Sequence, residues 1–348
     1  MNPEAFEQRV RSELESHRKR YPAAQPQDAV KFVFQALLGV GHLLGERDAV
    51  ADYIDREMRA LTPDPGEPLF ERLSPAWCRL NLRRAAAEYL TPDMIAGMML
   101  ASSCAPPFAR EDVLRLCETL VPGADELRKI AEEAWLPSHS PAYRAAYRPA
   151  YRVVSADWMA LAEALPAIAR AQAGTDRLLV TLDGPCASGK TTLARSLAQM
   201  LRAPVVHTDE FVVPHAQKTP ERLAIPGGNC DAERLAAEVL GPWKRGEPVR
   251  FRRYDCRADA MLPAESLPPA RALILEGSYC NVPSLRAFAD VRLFLDVPWP
   301  VREARLRARE TSGYLQSFYD RWIPLENAYF TAYGLPDAGC AVIRLPEA

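Results

Sequence analysis

The residues best suited to chemistry in this 348-residue chain form a run that matches G-x-x-x-x-G-K-[ST]. The run comprises Gly184, Pro185, Cys186, Ala187, Ser188, Gly189, Lys190, Thr191 and Thr192. An apolar segment at 178–182 leads into it and a helical segment at 191–201 leads out, as a phosphate-binding loop requires. In such a loop the backbone N–H groups and the helix N-terminus point at phosphates, the lysine neutralises charge, and the threonine hydroxyl completes a magnesium shell. The pattern predicts ATP and Mg²⁺ binding; the alternative is a chance glycine turn before a helix.

One residue of the run, Cys186, is a candidate reactive thiol. It lies at a helix N-terminus beside Lys190. The helix N-terminus and the lysine charge both favour a lowered thiol pKa. We therefore predict that alkylation of Cys186 blocks ATP binding and that bound MgATP protects it. The alternative is that Cys186 only fills a position that needs a small residue.

Two carboxylates follow predicted strands. Asp209 comes directly after 205–208, and Glu276 directly after 273–275. Because ligands bind at the carboxyl ends of parallel strands, both acids are expected to face the same crevice as the glycine-containing run. Phosphoryl transfer to a hydroxyl needs a proton acceptor and carboxylates near magnesium, although a helix cap or a solvated charge would also suit each position. Asp296 ends a strand as well, but it leads into a proline-rich turn and is interpreted as structural.

Three arginines, Arg302, Arg305 and Arg309, are spaced so that they share one face of a helix, whereas Arg307 points away. Clustered guanidinium groups suit the charge on a transferring phosphoryl group. The alternative is a solvated helix face on which the arginines pair with Glu303 and Glu310.

The elements that must position these residues differ between the two halves of the chain. Residues 1–172 predict an all-α domain, with helical periodicity at 28–40, 48–61, 76–89, 92–103, 110–120 and 124–135. Residues 173–348 alternate strands and helices, with apolar strand runs at 178–182, 204–207, 272–275, 291–297 and 341–345. This alternation predicts an α/β domain of the P-loop NTPase class, with a parallel sheet and helices on both faces. The small, polar segment 171–176 is a candidate linker.

Composition narrows the class of function. A net charge of −2 argues against general nucleic-acid binding. The longest apolar stretches are too short for a bilayer, and the first residues do not resemble a signal peptide. The eight cysteines show no metal-binding spacing and are expected to be reduced. We therefore expect a cytoplasmic protein with no membrane segment; oligomeric state is not indicated.

Taken in order, the motifs between 177 and 345 resemble the uridine kinase family, with phosphoribulokinase and bacterial pantothenate kinase as more distant relatives. The similar segments are the glycine-containing run, His207–Phe211, 244–249, Arg253–Asp255, Leu275–Gly277, the three arginines, and the later residues Tyr319, Trp322, Glu326 and Tyr329. The resemblance implies a kinase that uses ATP and Mg²⁺ and phosphorylates a hydroxyl of a small molecule.

The resemblance also implies roles for single residues. Asp209 would be the catalytic base and a magnesium partner, and Glu276 would help to hold magnesium together with Thr191. Arg302, Arg305 and Arg309 match the family's lid arginines, which places Arg302 with ATP binding and Arg305 and Arg309 with catalysis alongside Lys190. Tyr254 and Asp255 match the pair that contacts the nucleoside.

The family's histidine that reads the pyrimidine has no counterpart in 256–260, where Arg257 and Asp259 stand instead. A site built to hydrogen-bond a base discriminates strongly when that bond is lost. We therefore predict weak phosphorylation of uridine and cytidine and a preference for another hydroxyl compound.

The N-terminal half contains two further features. His42 follows Gly39-Val40-Gly41 at the end of an apolar helix and is either presented to a site or a helix cap. Between 140 and 152, three Tyr-Arg pairs recur every four residues, at Tyr143, Tyr147 and Tyr151. On a helix they form a stripe that binds phosphates, stacks on bases, or docks against the other domain.

Three functions are compatible with these features. The first is a small-molecule kinase. The second is a nucleotide-controlled binding protein, in which ATP gates partner contact by the helical domain. The third is a kinase for RNA or DNA ends that uses the Tyr-Arg stripe, for which steep salt dependence of polynucleotide binding is the signature.

Overall fold

A computed structural model describes residues 3–40, 45–103, 108–121, 137–256 and 258–344. The chain divides into two compact units between Ala162 and Glu163. The segment interpreted as a linker, 171–176, overlaps the end of a helix in the second unit, Ala164–Gly174. His42, Arg257 and the helix predicted at 124–135 lie outside the described residues. Within the described ranges, no helix is both long and apolar enough to cross a membrane.

The described part of the first unit is mainly helical. Its helices are α1 Pro3–Arg20, α2 Pro26–Leu38, α3 Arg47–Arg59, α4 Leu82–Ala87, α5 Pro92–Ala101, α6 Arg110–Leu120 and α7 Pro141–Tyr147. Proline at the first turn and a capping side chain explain several of the starts: Thr91 caps α5, and the Ser140 hydroxyl accepts the Tyr143 N–H at the start of α7.

The sequence predicted an all-α domain here, but the first unit also contains strands. Strands β1 Phe70–Arg72, β2 Trp77–Asn81 and β3 Tyr151–Ser155 form an antiparallel sheet in the order β1-β2-β3. The helix predicted at 76–89 is therefore wrong at its start. Residues 77–80 of β2 are all buried, so the strand lacks the alternation by which a half-exposed strand is recognised.

The Tyr-Arg stripe is not a helical face either. Helix α7 ends at Tyr147, Arg148 adopts a left-handed conformation with φ 44°, and Tyr151 begins β3. The four-residue recurrence is therefore carried by a helix, a turn and a strand in succession.

The second unit alternates strands and helices. Its helices are α8 Ala164–Gly174, α9 Lys190–Leu201, α10 Pro220–Ala224, α11 Ala232–Leu235, α12 Gly241–Arg245, α13 Pro283–Arg286, α14 Trp299–Arg309, α15 Ser312–Ser317 and α16 Ile323–Tyr333. A 3₁₀ turn, Thr208–Phe211, follows the second strand of the main sheet, and a π-helical turn, Phe318–Trp322, joins α15 to α16.

The main sheet is parallel, as predicted, and all five predicted strands are present. It consists of β4 Leu178–Asp183, β5 Val205–His207, β10 Ala272–Glu276, β11 Val291–Asp296 and β12 Cys340–Arg344, in the order β12-β11-β4-β10-β5. Two short antiparallel pairs, β6 Arg250–Phe251 with β9 Glu265–Ser266 and β7 Tyr254–Asp255 with β8 Ala260–Met261, lie between β5 and β10 in the chain.

Helices flank this sheet. Leu179, Leu273 and Leu275 belong to one core cluster with residues of α11 and α12, including Trp243. Because side chains alternate along a strand, Val180 and the other intervening residues face the opposite side, and α8 and α9 also contact these strands. Burial on both faces explains why the strands are continuous apolar runs. The arrangement brings the C-terminal ends of β4, β5 and β10 to one edge.

Candidate active site

The glycine-containing run forms a loop between β4 and α9, and we call residues 184–189 the glycine loop. Gly184 has φ +143°, and a Cβ there would lie 2.6 Å from the carbonyl oxygen of Leu295. Gly189 has φ +100° directly before α9. Both positions therefore require glycine. Lys190 Nζ donates to the carbonyl oxygens of Gly184 at 2.8 Å and Pro185 at 3.0 Å, so its buried ammonium lies against the loop.

Two strand ends bring carboxylates to the start of α9. Glu276 ends β10 and pairs in register with His207 of β5. Its Oε1 accepts the Thr191 hydroxyl at 3.3 Å, and its Oε2 lies 2.5 Å from Nδ1 of His207. Asp209 lies in the 3₁₀ turn after β5 and is open to the same cavity that Thr191 and Glu276 line. The structure therefore brings together the three residues proposed to surround magnesium.

The charges of these groups are coupled. Surrounding protein raises the pKa of Asp209 by desolvation even though the side chain reaches the cavity, and the nearby charge of Glu276 raises it further. The hydrogen bond to Glu276 raises the pKa of His207. In the described ranges there is no group of three or more His, Cys, Asp and Glu side chains that could hold a metal ion by themselves. An octahedral magnesium ion here would need phosphate oxygens and water beside the Thr191 hydroxyl and the carboxylates, which is its usual mode of binding.

The predicted arginine face lies on α14, beside the glycine loop. Arg305 Nη1 donates to the carbonyls of Ala187 at 3.2 Å and Ser188 at 2.8 Å. Arg302 donates to Val297 and, at 3.4 Å, to the carbonyl of Cys186. Arg305 and Arg309 line the cavity.

The remaining arginine of α14, Arg307, has different surroundings. Arg307 pairs with Glu303 at 2.8 Å and is not among the cavity-lining residues. Arg309 also has a carboxylate partner, Glu310, at 2.5 Å. The solvated-face interpretation thus applies to Arg307, and the other three arginines lie at the loop or the cavity.

Glu326 of α16 is a site residue to which the sequence assigned no role. Its Oε2 accepts the backbone N–H of Cys186 at 2.9 Å, and its Oε1 accepts the Ser278 hydroxyl at 2.6 Å. The side chain is buried and lines the cavity. The sequence shows that Glu326 lies in an aromatic-rich run. It does not show that Glu326 contacts a residue 140 positions away.

This carboxylate overturns the expected chemistry of Cys186. Burial, followed by the negative charge of Glu326, raises the pKa of the Cys186 thiol to about 12. Arg302 and Lys190 act in the opposite direction but have the smaller effect. The prediction that the helix N-terminus and Lys190 lower this pKa is therefore wrong, because the fold buries the thiol and places a carboxylate against the loop.

Asp183 supports the loop from below. It ends β4, is fully buried, and accepts hydrogen bonds from the Tyr329 hydroxyl at 2.6 Å, the Asn281 amide at 3.2 Å and the Gly184 N–H at 2.8 Å. Burial raises the pKa of Asp183 to about 6, against the effect of these hydrogen bonds. A buried, multiply bonded carboxyl of this kind fixes where the loop begins.

The remainder of the cavity is lined by small, polar and aromatic side chains. These are Asn229, Cys230, Cys256, Tyr279, Phe318 and Trp322. Asn229 is buried, and its Oδ1 has no hydrogen-bond partner among the described residues. It is the clearest unoccupied acceptor in this wall, and it had no recognisable signal in the sequence.

Tyr254 and Asp255, the predicted substrate contacts, are not among the cavity-lining residues. The buried Tyr254 donates its hydroxyl to Asp259 and accepts the His215 N–H at 3.2 Å. Asp255 Oδ1 accepts the N–H of Ala258 at 3.1 Å. Their neighbour Cys256 reaches the cavity instead.

The cavity has a volume of about 540 Å³, within the range of sites for small molecules. Its wall includes the glycine loop, a helix N-terminus, Lys190 and arginines, which suit phosphates. Asp209, Asn229 and aromatic rings line the same cavity. The arrangement can hold a phosphorylated donor beside a carboxylate that accepts a proton.

No protein-family model matches the chain, and no curated protein matches it. Several solved structures align with about half of it. A protein described as a possible uridine kinase from Bacillus stearothermophilus is 23% identical, with a TM-score of 0.40, and covers 52% of this chain and 99% of its own. A protein described as a fructose transport system kinase from a Silicibacter species is 27% identical, with a TM-score of 0.39, and covers 49% of this chain and 90% of its own. A sugar kinase from a Janibacter species is 23% identical, with a TM-score of 0.27, and covers 49% of this chain and 87% of its own.

Proposed function

We propose that the second unit transfers a phosphoryl group from ATP to a hydroxyl of a small molecule, with magnesium. The observation that supports this most directly is the convergence, in one cavity, of the glycine loop, the start of α9, Asp209, Glu276 and Arg305. Each of these groups suits a different requirement of phosphoryl transfer.

The phosphates of ATP are assigned to the glycine loop and the first turn of α9. There the loop N–H groups and the helix N-terminus supply donors, and Lys190 supplies charge. Arg302 holds the loop, and Arg305 and Arg309 supply cations where negative charge spreads over the transferring group. Thr191, Asp209 and Glu276 would hold magnesium, which when bound neutralises phosphate charge and orients the phosphates.

Asp209 is assigned as the base that accepts the proton of the acceptor hydroxyl. Its side chain is open to the cavity, and a carboxylate positioned there can take a proton from an acceptor hydroxyl. Asn229, Cys256 and Trp322 line the space in which the acceptor would lie. Tyr254 and Asp255 contribute, on this assignment, by shaping the segment that carries Cys256.

The test is acceptor-dependent release of ADP by the full chain, with a panel of nucleosides, sugars and vitamin precursors. We expect at least one acceptor to stimulate release strongly and uridine and cytidine to be weak, since 256–260 contains no histidine. Lys190→Ala, which removes the buried ammonium beside the loop, should abolish turnover without unfolding the chain.

Two outcomes would contradict the proposal. Slow ATP hydrolysis that no acceptor accelerates would favour a nucleotide-controlled binding protein. Undiminished turnover in folded Lys190→Ala protein would remove the glycine loop from the mechanism altogether.

A further inference from the structure

A second cavity lies wholly among residues of the first unit, and the proposed phosphoryl transfer does not use it. Its volume is about 120 Å³, and its wall combines Tyr21, Tyr143, Tyr147 and Tyr151 with arginines that include Arg79 and Arg83. We call it the Tyr–Arg cavity. It contains all three tyrosines of the recurrent Tyr-Arg pairs, although a helix, a turn and a strand deliver them.

The charges around the Tyr–Arg cavity do not balance. Arg20 pairs with Glu67 at 3.0 Å, and Arg79 pairs with Glu71 at 3.2 Å. The two remaining arginines in the wall, Arg83 and Arg148, have no carboxylate partner among the described residues. Arg83 Nη2 instead donates to the backbone carbonyl of Arg148 at 3.3 Å. The wall therefore carries an excess of two positive charges, which favours a dianion.

Hydroxyl donors are available in the same wall. Tyr143 is only 2% exposed and lines the cavity. Tyr21 lines it as well. Burial raises the pKa of Tyr143 and raises that of Tyr21 to about 12, so both remain protonated donors. An anion in the cavity would supply an acceptor for these hydroxyls.

Hydrogen bonds hold the floor of the cavity in place. The fully buried Arg79 donates from Nε and Nη2 to Oε1 of Gln35, at 3.0 and 2.8 Å. The Tyr151 hydroxyl lies 2.6 Å from Nε2 of His139, and Nδ1 of His139 lies 2.8 Å from Oδ1 of Asp28. Because His139 Nδ1–H donates to a carboxylate, Nε2 accepts a hydrogen bond from the Tyr151 hydroxyl. A wall fixed in this way needs little reorganisation when a ligand binds.

Size limits the class of ligand. The cavity of about 120 Å³ has room for an ion of phosphate size, whereas sites for larger small molecules are typically about 300–1,000 Å³. We propose that the Tyr–Arg cavity is a binding site for a phosphate group, either inorganic phosphate or the head of a small phosphate monoester. A dianion with several acceptor oxygens matches two unpaired guanidinium groups and the tyrosine hydroxyls better than a monocarboxylate does.

The experiment is equilibrium dialysis of labelled inorganic phosphate against the full chain. The chain carries Lys190→Ala, so that phosphate binding at the glycine loop is weakened. We expect about one equivalent to bind. The double change Arg83→Gln with Arg148→Gln should weaken binding at least about tenfold, and Tyr143→Phe by about three- to tenfold, as expected for lost hydrogen bonds to a charged group.

Arg144→Gln is the matched control. Arg144 lies on α7, one helical turn before Arg148, is exposed, and is not among the residues of the cavity wall. Arg144→Gln removes one positive charge, half of what the double variant removes, and should leave binding unchanged. Competition by methyl phosphate and by phosphoserine then shows whether free phosphate or a monoester is preferred.

Three results would overturn the proposal. The first is that the folded Lys190→Ala chain binds no phosphate at millimolar concentration. The second is that Arg144→Gln weakens phosphate binding as much as the double arginine variant does. The third is that the chain binds malonate instead of phosphate. If the double arginine variant fails to fold, Tyr143→Phe decides the matter, because it removes a single hydroxyl and keeps the ring.

Discussion

The carboxylates Asp209 and Glu276 occupy neighbouring strand ends but differ in their partners. Glu276 accepts hydrogen bonds from Thr191 and His207. Asp209 remains open to the cavity, and desolvation, followed by the charge of Glu276, raises its pKa. On the proposed function, Glu276 helps to hold magnesium and Asp209 accepts the proton, a division of roles that different surroundings commonly give to paired acids.

Asp209→Asn tests this division. The amide keeps the shape of the side chain but accepts no proton, so we expect ATP binding within a few-fold and transfer slower by about 10²–10⁴. Single-turnover transfer and nucleotide titration measure the two effects separately. Asp296→Asn is the control: Asp296 also ends a strand, but it pairs with Arg344 at 3.3 Å, and its loss should not affect transfer. Collapse of nucleotide affinity, with a normal rate for each bound ATP, would leave Asp209 without a role as base.

At Cys186 burial and the carboxylate of Glu326 together reverse a local rule. The loop and Lys190 would favour a thiolate, but Glu326 accepts the N–H of the same residue and opposes that charge. With a pKa near 12, almost no thiolate exists at neutral pH, and reactivity requires the thiolate.

Replacement of Glu326 tests the cause. Since its charge raises the pKa of Cys186, Glu326→Gln should lower that pKa and increase the rate of alkylation by iodoacetamide. The measurement is a pH–rate profile by mass spectrometry, in a Cys256→Ser background, because Cys256 is exposed. Glu326→Asp keeps the charge and serves as the control. An unchanged rate in Glu326→Gln would show that burial alone silences the thiol.

At the scale of elements, the site depends on how closely two strand ends approach. Gly277 follows β10 with φ +133°, and a Cβ there would lie 2.1 Å from Oγ1 of Thr208. That hydroxyl donates to the carbonyl of Ser278 at 2.7 Å. The approach of the two backbones therefore fixes Thr208, and with it the neighbouring Asp209.

Gly277→Ala should disturb both stability and catalysis. We expect a loss of about 1–3 kcal/mol from the strained conformation and the clash, and transfer slower by about ten- to a hundredfold from displacement of Asp209. Chemical denaturation and transfer kinetics measure the two. Gly313→Ala is the control, since it lies in α15 with nothing within 4 Å and should stabilise slightly or not at all. Full activity in Gly277→Ala would show that Thr208 does not position the base.

The main sheet and the glycine loop were predictable because their signals are local. Strands buried on both faces, such as β4 and β10, are unbroken apolar runs, and the glycine pattern fixes where β4 ends and α9 begins. The strand β2 escaped prediction because it is short, buried over residues 77–80, and contains the buried Arg79. The charge of Arg79 is compensated by partners that include Glu71 and Gln35, and such partners cannot be read from local periodicity.

The contact of Glu326 with the glycine loop was unpredictable for the same reason. Residues 186 and 326 meet only after α16 has packed on the sheet. The order of elements indicated which strand ends share an edge, but not which later helix covers the loop. Tyr254 is the opposite case. A local pattern in the sequence suggested a contact with substrate, but in the structure its hydroxyl donates to Asp259.

At the scale of the whole molecule, the two units use buried polar groups differently. In the second unit Asp209, Glu276 and Glu326 line an open cavity, whereas Asp183 is buried beneath the glycine loop. In the first unit, Asp28, His139, Tyr151, Gln35, Arg79 and Glu71 form a continuous hydrogen-bonded chain, most of it buried. A satisfied buried network specifies one arrangement of its elements, and a change of charge within it is expensive.

His139 makes the stability of the first unit depend on pH. Burial lowers its pKa to about 4, against about 6.5 when unfolded. A depressed histidine pKa means that its stability contribution is complete above pH 6.5 and is lost as the pH falls toward 4. A difference of this size corresponds to about 3 kcal/mol. The pKa of Asp28 is also lowered, so its contribution is lost only at still lower pH.

We therefore expect the free energy of unfolding to fall more steeply between pH 6.5 and 4 in the wild-type chain than in His139→Gln. Glutamine preserves a donor toward Asp28 and an acceptor toward Tyr151 but does not titrate, so the slope, rather than the absolute stability, carries the result. Chemical denaturation at each pH measures it. His215→Gln is the control, because His215 is half exposed in the second unit and its variant should run parallel to the wild type. A His139→Gln curve that also runs parallel to the wild type would show that His139 is already charged, or readily charged, inside the fold, and that the Asp28 carboxylate rather than burial governs its proton.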